Sequence, residues 1–329
     1  MSASSLKRTR PLKVLKCNAF NDLYRCWLSL VWGWLYFGDE TLFQLLIFYY
    51  CSKMNLNQKE KARIVEAAEA AYLAASFSLA PAEVAKELGM KVFQVWGGVA
   101  SLMANDPTGG FWSRVIGIGI DRPISVDFLE AIESLYITNG CKVATVQVSP
   151  LAQPENFEDL LSAAGFVKGH SWIKLLRELN DIPDVESDLE VREIETSAGD
   201  EYGRVYWDGF GLPDPTLQKW MSAHVGKPDW KIYGAFDGAT MVGVGALYLR
   251  GDVACLSGAA TLESHRNRGA QSALMVARLR AASELDLSWA STETGTESEG
   301  EPNPSLHNMR RLGFEEVYQR YNWVKRYNQ

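Results

Sequence analysis

Two α/β (α+β) halves in tandem, each a mixed, mostly antiparallel sheet flanked by helices, are the fold this sequence predicts. Three observations carry the prediction. The chain of 329 residues exceeds the roughly 100–200 residues usual for one domain. Strand and helix patterns alternate along most of it instead of segregating. The two halves also close alike: "LLSAAGFVKGHSWIKL" from Leu160 and "NMRRLGFEEVYQRYNWVK" from Asn308 both run helix, Gly-Phe, then a Trp-bearing strand. The shared order of strand, long helix, strand, helix, Gly-Phe and strand points to an internal duplication.

The first 53 residues stand apart. They hold Lys7, Arg8, Arg10, Lys13, Lys16, Arg25 and Lys53 against Asp22, Asp39 and Glu40, while the rest is acidic enough to bring the whole chain to −7. Their longer apolar run, 26–37, has 12 residues, short of the roughly 18–20 needed to span hydrocarbon. Reading 26–51 as one span would bury Asp39 and Glu40 near the bilayer centre at several kcal/mol. No small-residue cleavage site follows, so a secretory signal is also a poor fit. The expectation is an extension outside the folded body, translation starting at Met54, and a cytoplasmic protein. Membrane association through 26–51 is the minority reading.

The first domain is expected over 54–182. Ala and Glu dominate 58–75, and Val65, Ala68, Tyr72 and Ala75 recur at helical spacing. A short helix over 81–88 is closed by Gly89. Residues 92–103 are β-formers broken at Gly97-Gly98, and 114–120 is another strand. Ser125 caps a helix whose Phe128, Ile132, Leu135 and Tyr136 share a face and which stops at Asn139-Gly140. Strand 143–148, helix 157–164 and strand 171–176 follow, and the acidic, Pro-containing 180–188 reads as a linker.

The second domain, 183–329, repeats the course. Strand 189–194 leads to a helix over 200–207, a loop over 209–215 and a short helix over 216–224. Strands 231–236 and 241–248 are joined by Asp237-Gly238, a strong hairpin signal. Strand 253–261, helix 269–285, strand 287–291, helix 305–312 stopped by Gly313, and strand 318–324 complete it.

Composition excludes several functions. An acidic body has no field to collect phosphates, which argues against nucleic-acid binding and mildly favours cationic substrates. Cys17, Cys26, Cys51, Cys141 and Cys255 form no C-x-x-C pair, and His170, His224, His265 and His307 are scattered, so no metal site is expected.

The informative stretch is "LSGAATLESHRNRGAQSALMVARLRAA", from Leu256. A strand runs into a polar loop, and Gly269 opens a long helix. Unpaired N–H groups and the macrodipole at such a start suit a pyrophosphate, and Gly lets the backbone come close. Taken alone, Arg266 and Arg268 read almost as well as solvated loop residues.

Arg266, Gly269 and Ala270 resemble the Arg/Gln-x-x-Gly-x-Gly/Ala motif of the GCN5-related N-acetyltransferase (GNAT) superfamily; Gln271 departs from its final Gly or Ala. The Asp237-Gly238 hairpin and the 303–314 helix ending in Gly-Phe resemble the same family, over nearly all of 188–329. The resemblance implies tandem GNAT-like domains with a degenerate first copy, and acetyl-CoA as co-substrate. Its pantetheine would pair with Ala259, Ala260 and Thr261 between the fourth and fifth strands of the domain. Its pyrophosphate would sit on Arg266, Asn267, Arg268, Gly269, Ala270 and Gln271, with Asn303 or Asn308 reaching the pantetheine amides. Glu293 and Glu263 are the candidate bases. Where family members often carry a Tyr this chain has Met309, which leaves Tyr318, Tyr321 or water as proton donor.

The implied activity is N-acetylation of a small-molecule or peptide amine, with 209–227 lining the acceptor pocket and Trp207 and Trp220 as its walls. Non-catalytic acyl-CoA binding is the alternative. The first half has only "DRPI" before its helix, no Gly to open it, and Asp121 and Asp127 where phosphate should sit.

Overall fold

Helix α1 (Gln58–Ser78) starts where the sequence supplies a reciprocal cap: Asn57 accepts from the Glu60 N–H, and the Glu60 carboxylate accepts from that of Asn57. The computed structural model describes residues 56–297 and 300–327. The readings of 1–53, of the 26–51 run and of a start at Met54 lie outside these residues. No described helix is long and apolar enough to cross a membrane.

After α1 come α2 (Ala82–Leu88) and the hairpin β1 (Met90–Val95) and β2 (Gly98–Met103). Its two-residue turn places both Trp96 and Gly97 at positive φ. The first half continues with β3 (Arg114–Ile118), α3 (Val126–Thr138), β4 (Val143–Val148), α4 (Phe157–Ala163) and β5 (Val167–Glu178).

The second half adds β6 (Glu190–Glu193), α5 (Gly199–Gly209), α6 (Pro215–Ser222), β7 (Trp230–Asp237) and β8 (Thr240–Arg250). It then repeats the earlier order with β9 (Val253–Thr261), α7 (Ala270–Glu284), β10 (Trp289–Gly295), α8 (Pro304–Arg311) and β11 (Glu315–Arg326). In both halves a parallel pair spans a helix, β3 with β4 and β9 with β10. In both, a left-handed Gly (Gly165, Gly313) then turns a short helix into a long strand.

The described strands form one sheet in the order β1-β2-β3-β4-β11-β5-β10-β9-β8-β7-β6. The last strand of each half is exchanged. β11 lies against β4 of the first half, β5 lies against β10 of the second, and the two pair antiparallel in the middle. One predicted boundary moves as a consequence. β10 is not 287–291 but runs on through Thr292, Glu293 and Thr294, because that polar stretch is paired by β5, Glu293 opposite Lys174.

Three apolar clusters cover the sheet. Helices α3 and α4 pack on the first half's strands, with Trp323 of β11 among them. Helices α7 and α8 pack on strands of the second. The third cluster joins the halves: Tyr72 and Phe77 of α1 and Trp112 meet Tyr202, Tyr206, Trp207 and Trp220 of α5 and α6.

Candidate active site

β9 and β10 pair only from Val253 to Cys255 against Trp289 to Ser291. Beyond that they part. β9 continues beside β8 to Thr261, and β10 beside β5 to Gly295, so the edges that faced each other no longer have a strand partner. Thr292 spans the gap by donating its hydroxyl to the Leu256 carbonyl at 2.8 Å. The parting is deepened by a bulge in β9 at Gly258, whose φ of 59° is left-handed. A Cβ there would lie 2.9 Å from the Tyr206 ring, so only Gly lets α5 pack this closely.

Two cavities meet at the parting and share Phe210, Ala259, Gln271 and Ser305 in their walls. The outer one, about 630 Å³, runs along the turn before α7. Asn267 and Gly269, with φ of 64° and 77°, reverse the chain there. No side chain caps α7, so the N–H groups of its first turn are open to a ligand, and Gly269, Ala270, Gln271 and Ser272 line the cleft. Arg266 and Arg311 add positive charge to its wall. Uncapped donors and two guanidiniums are a donor set that fits a pyrophosphate.

The sequence-predicted cofactor residues divide on this geometry. Ala259, Ala260, Thr261, Arg266, Asn267, Gly269, Ala270, Gln271 and Asn308 line the outer cleft. Gln271 donates to the Ser305 hydroxyl at 2.5 Å and accepts from Asn308 at 2.7 Å, so it ties α7 to α8. Arg268 lines neither cavity; its guanidinium is held by Asp188 and Asp237, each at 2.6 Å. Asn303 is the cap of α8: its oxygen accepts from the Ser305 and Leu306 N–H groups and its amide donates to Thr294 and Gly295.

The inner cavity, about 510 Å³, is walled by both halves. Tyr72, Phe111, Trp112 and Trp172 of the first half face Tyr206, Trp207 and Phe210 of the second. Trp207 is thus a wall, while Trp220 is core, donating its indole N–H to the Ser76 carbonyl. Of the four candidate catalytic residues only Glu293 lines this cavity. Glu263 is exposed on the one-turn helix before Arg266. Tyr318 donates to Glu66 at 2.7 Å and Tyr321 accepts from Gln319, both away from the cavities.

Glu293 belongs to a buried charge cluster that closes the cavity floor. Arg320 bridges Glu66, Glu69 and Glu293; Lys174 bridges Glu69 and Glu293; Arg114 contacts Glu69 at 3.4 Å and Glu293 at 3.7 Å. Three carboxylates balance three cations. Burial alone would raise the Glu69 carboxyl, but Arg320, Lys174 and Arg114 outweigh it and hold it well below the usual carboxylate range. Burial opposes the Lys174 charge, and Glu293 with Glu69 restores it, leaving that pKa raised.

Sequence reading missed this cluster and the first-half wall. One signal was available: Glu66 and Glu69 sit on the same face of α1 as Val65, Tyr72 and Leu73, where acids have no place unless paired.

No family model matches the chain and no curated protein matches it. Solved structures do. A GCN5-related N-acetyltransferase from Kribbella flavida superposes with a TM-score of 0.55 at 17% identity, over 79% of this chain and 96% of that one. Another from Sphaerobacter thermophilus gives 0.50 at 12%, over 72% and 76%. A functionally unknown conserved protein from Staphylococcus epidermidis gives 0.50 at 10%, over 74% and 98%. Matches of that extent take in residues of both halves, and with the repeated element order and the parted parallel strands they show that this chain has the fold of the GCN5-related N-acetyltransferases.

Proposed function

We propose that this protein is an acetyl-CoA-dependent N-acetyltransferase whose chemistry belongs to the second half, on an amine held between the halves. The observation that carries the reading is the parting of β9 from β10 beside an uncapped helix start. The pyrophosphate would rest on the turn from Arg266 to Gln271, and the free edge of β9 at Ala259, Ala260 and Thr261 would meet the pantetheine amides. When bound, acetyl-CoA supplies an activated acyl group on a good leaving thiol.

The remaining work falls to the chain. Glu293 keeps one oxygen on Lys174 and Arg320, while its other has, among the described residues, only Arg114 at 3.7 Å. That oxygen receives the amine proton as the new C–N bond forms. N–H groups along the free edge of β9 stabilise negative charge on the acyl oxygen. Tyr206, packed at the Gly258 bulge, would give its proton to the coenzyme A thiolate as the C–S bond breaks, and the proton held by Glu293 would restore it. Burial pushes the Tyr206 pKa well above the ordinary value, so it stays protonated until then. The aromatic walls exclude water.

Release of free thiol from acetyl-CoA across a panel of primary amines tests the reading. Turnover with any of them supports it. One observation favours a second reading: Met309, which cannot donate a proton, lines the inner cavity. Tight acetyl-CoA binding with no thiol release from the whole panel would make the protein a non-catalytic acyl-CoA sensor.

A further inference from the structure

We propose that the inner cavity binds a ligand carboxylate at Arg278, so that one of the two reactants, acyl donor or amine acceptor, carries an acid group. The inference rests on the acyl-transfer reading above and narrows its substrates. Arg278 lies on α7, lines the inner cavity and is 2% exposed. Its Nε donates to the Leu274 carbonyl at 3.0 Å and its Nη1 to the Ala246 carbonyl at 2.9 Å. Both acceptors are neutral. Those bonds use Nε and Nη1 and leave Nη2 for the cavity, and no carboxylate forms an ion pair with this guanidinium among the described residues.

The carboxylates of the cavity floor do not fill that role, because Glu66, Glu69 and Glu293 are matched by Arg114, Lys174 and Arg320. Among the described residues that line the cavity, Arg278 is therefore the charge left unbalanced. Burial pushes its pKa down to about 10, which still leaves it charged at neutral pH.

The fold makes room for this group. A Cβ on Gly245 would stand 2.9 Å from Cζ of Arg278, so the sheet is cut back under the guanidinium. Gly245 is paired with Ala259, at the same bulge that opens the parting. Cys255, Leu256 and Met275 line the same cavity, and the groups that act on the guanidinium are the uncharged side chains of Tyr202, Cys255 and Tyr233. A buried guanidinium bonded only to neutral carbonyls pairs strongly with a carboxylate through its remaining N–H groups, and its charge is costly to leave without a counter-ion.

Two matched pairs find the source of the acid. With tyramine as acceptor, succinyl-CoA is compared with butyryl-CoA; with acetyl-CoA as donor, tyrosine is compared with tyramine. A kcat/KM ratio of about tenfold or more for the acid member supports the proposal and names the reactant. In Arg278→Gln that ratio should fall to about one; if this variant does not fold, the wild-type ratios decide alone. Ratios near one in both pairs, with thiol release intact, overturn the carboxylate site and leave the acetyltransferase reading standing. If no pair turns over, calorimetry takes over: tighter binding of succinyl-CoA than butyryl-CoA, or of tyrosine than tyramine to the CoA-loaded protein, supports the site. Equal or absent binding overturns it.

Discussion

Gly269 meets two constraints at one residue. Its left-handed φ of 77° suits no side chain, and a Cβ would come within 2.8 Å of the Glu186 carbonyl. Gly269→Asp adds a like charge where phosphate is proposed, so acetyl-CoA affinity should fall by about tenfold or more in calorimetry, at a lowered but cooperative melting point. Arg268→Ala should cost far less affinity, because Arg268 is engaged by Asp188 and Asp237 and lines neither of the two cavities described. Glu293→Gln should keep the shape of the floor and remove the proton acceptor. We expect kcat to drop about 100-fold with little change in KM for acetyl-CoA. An unchanged kcat would take Glu293 out of the reaction.

Between elements, the seam of α6 with α1 sets a pH dependence. Trp220 donates to the Ser76 carbonyl, and His224 meets the Ser76 hydroxyl through Nε2 at 2.8 Å. Its Nδ1 sits against the Trp220 and Met221 carbonyls, so Nδ1 carries the proton and the neutral ring fits. Burial pushes the His224 pKa down to about 4. The unfolded chain binds this proton near pH 6.5, so stability is full above about pH 6.5 and is lost as pH falls toward 4, by about 3 kcal/mol in all. Unfolding free energies from urea titrations at pH 7 and 4.5 should differ by most of that amount in the wild type and by much less in His224→Asn. This seam also marks how far sequence reading reaches. The Ser125 cap, the Asp237-Gly238 hairpin and the turn at Gly269 were legible because their causes are local, a few residues of spacing and turn chemistry. Glu293 was legible as a candidate but misplaced beyond its strand, since Thr292 and Thr294 are polar and the strand that shelters them lies far back in the chain. The face of α1 hinted at Glu66 and Glu69, but their partners Arg320 and Lys174 were not legible, standing 254 and 105 residues away.

At the scale of the whole molecule the two halves share one sheet but end their parallel pairs differently. In the first half β3 and β4 shift register after Val115 but pair again at Ile118 opposite Val148, and Ser125 caps α3. The space in front is filled: Gln153 bonds Gly119 and Ile124, and a Cβ on Gly119 would lie 2.6 Å from that of Ala152. Titration of acetyl-CoA should therefore give one site per chain; two would show that the first half binds as well. Neither half should fold alone, since each places its last strand beside the other's parallel pair. Fragments 57–182 and 183–329 should each lack a cooperative unfolding transition and regain one on mixing. The exchange of β5 and β11 also inverts the order in which the molecule is made and finished. On the ribosome the first half emerges first, yet β4 waits for its neighbour until Glu315 to Arg326 have left the exit tunnel. A premature stop or a proteolytic cut near the C-terminus would not trim an edge of this protein but open the middle of its sheet.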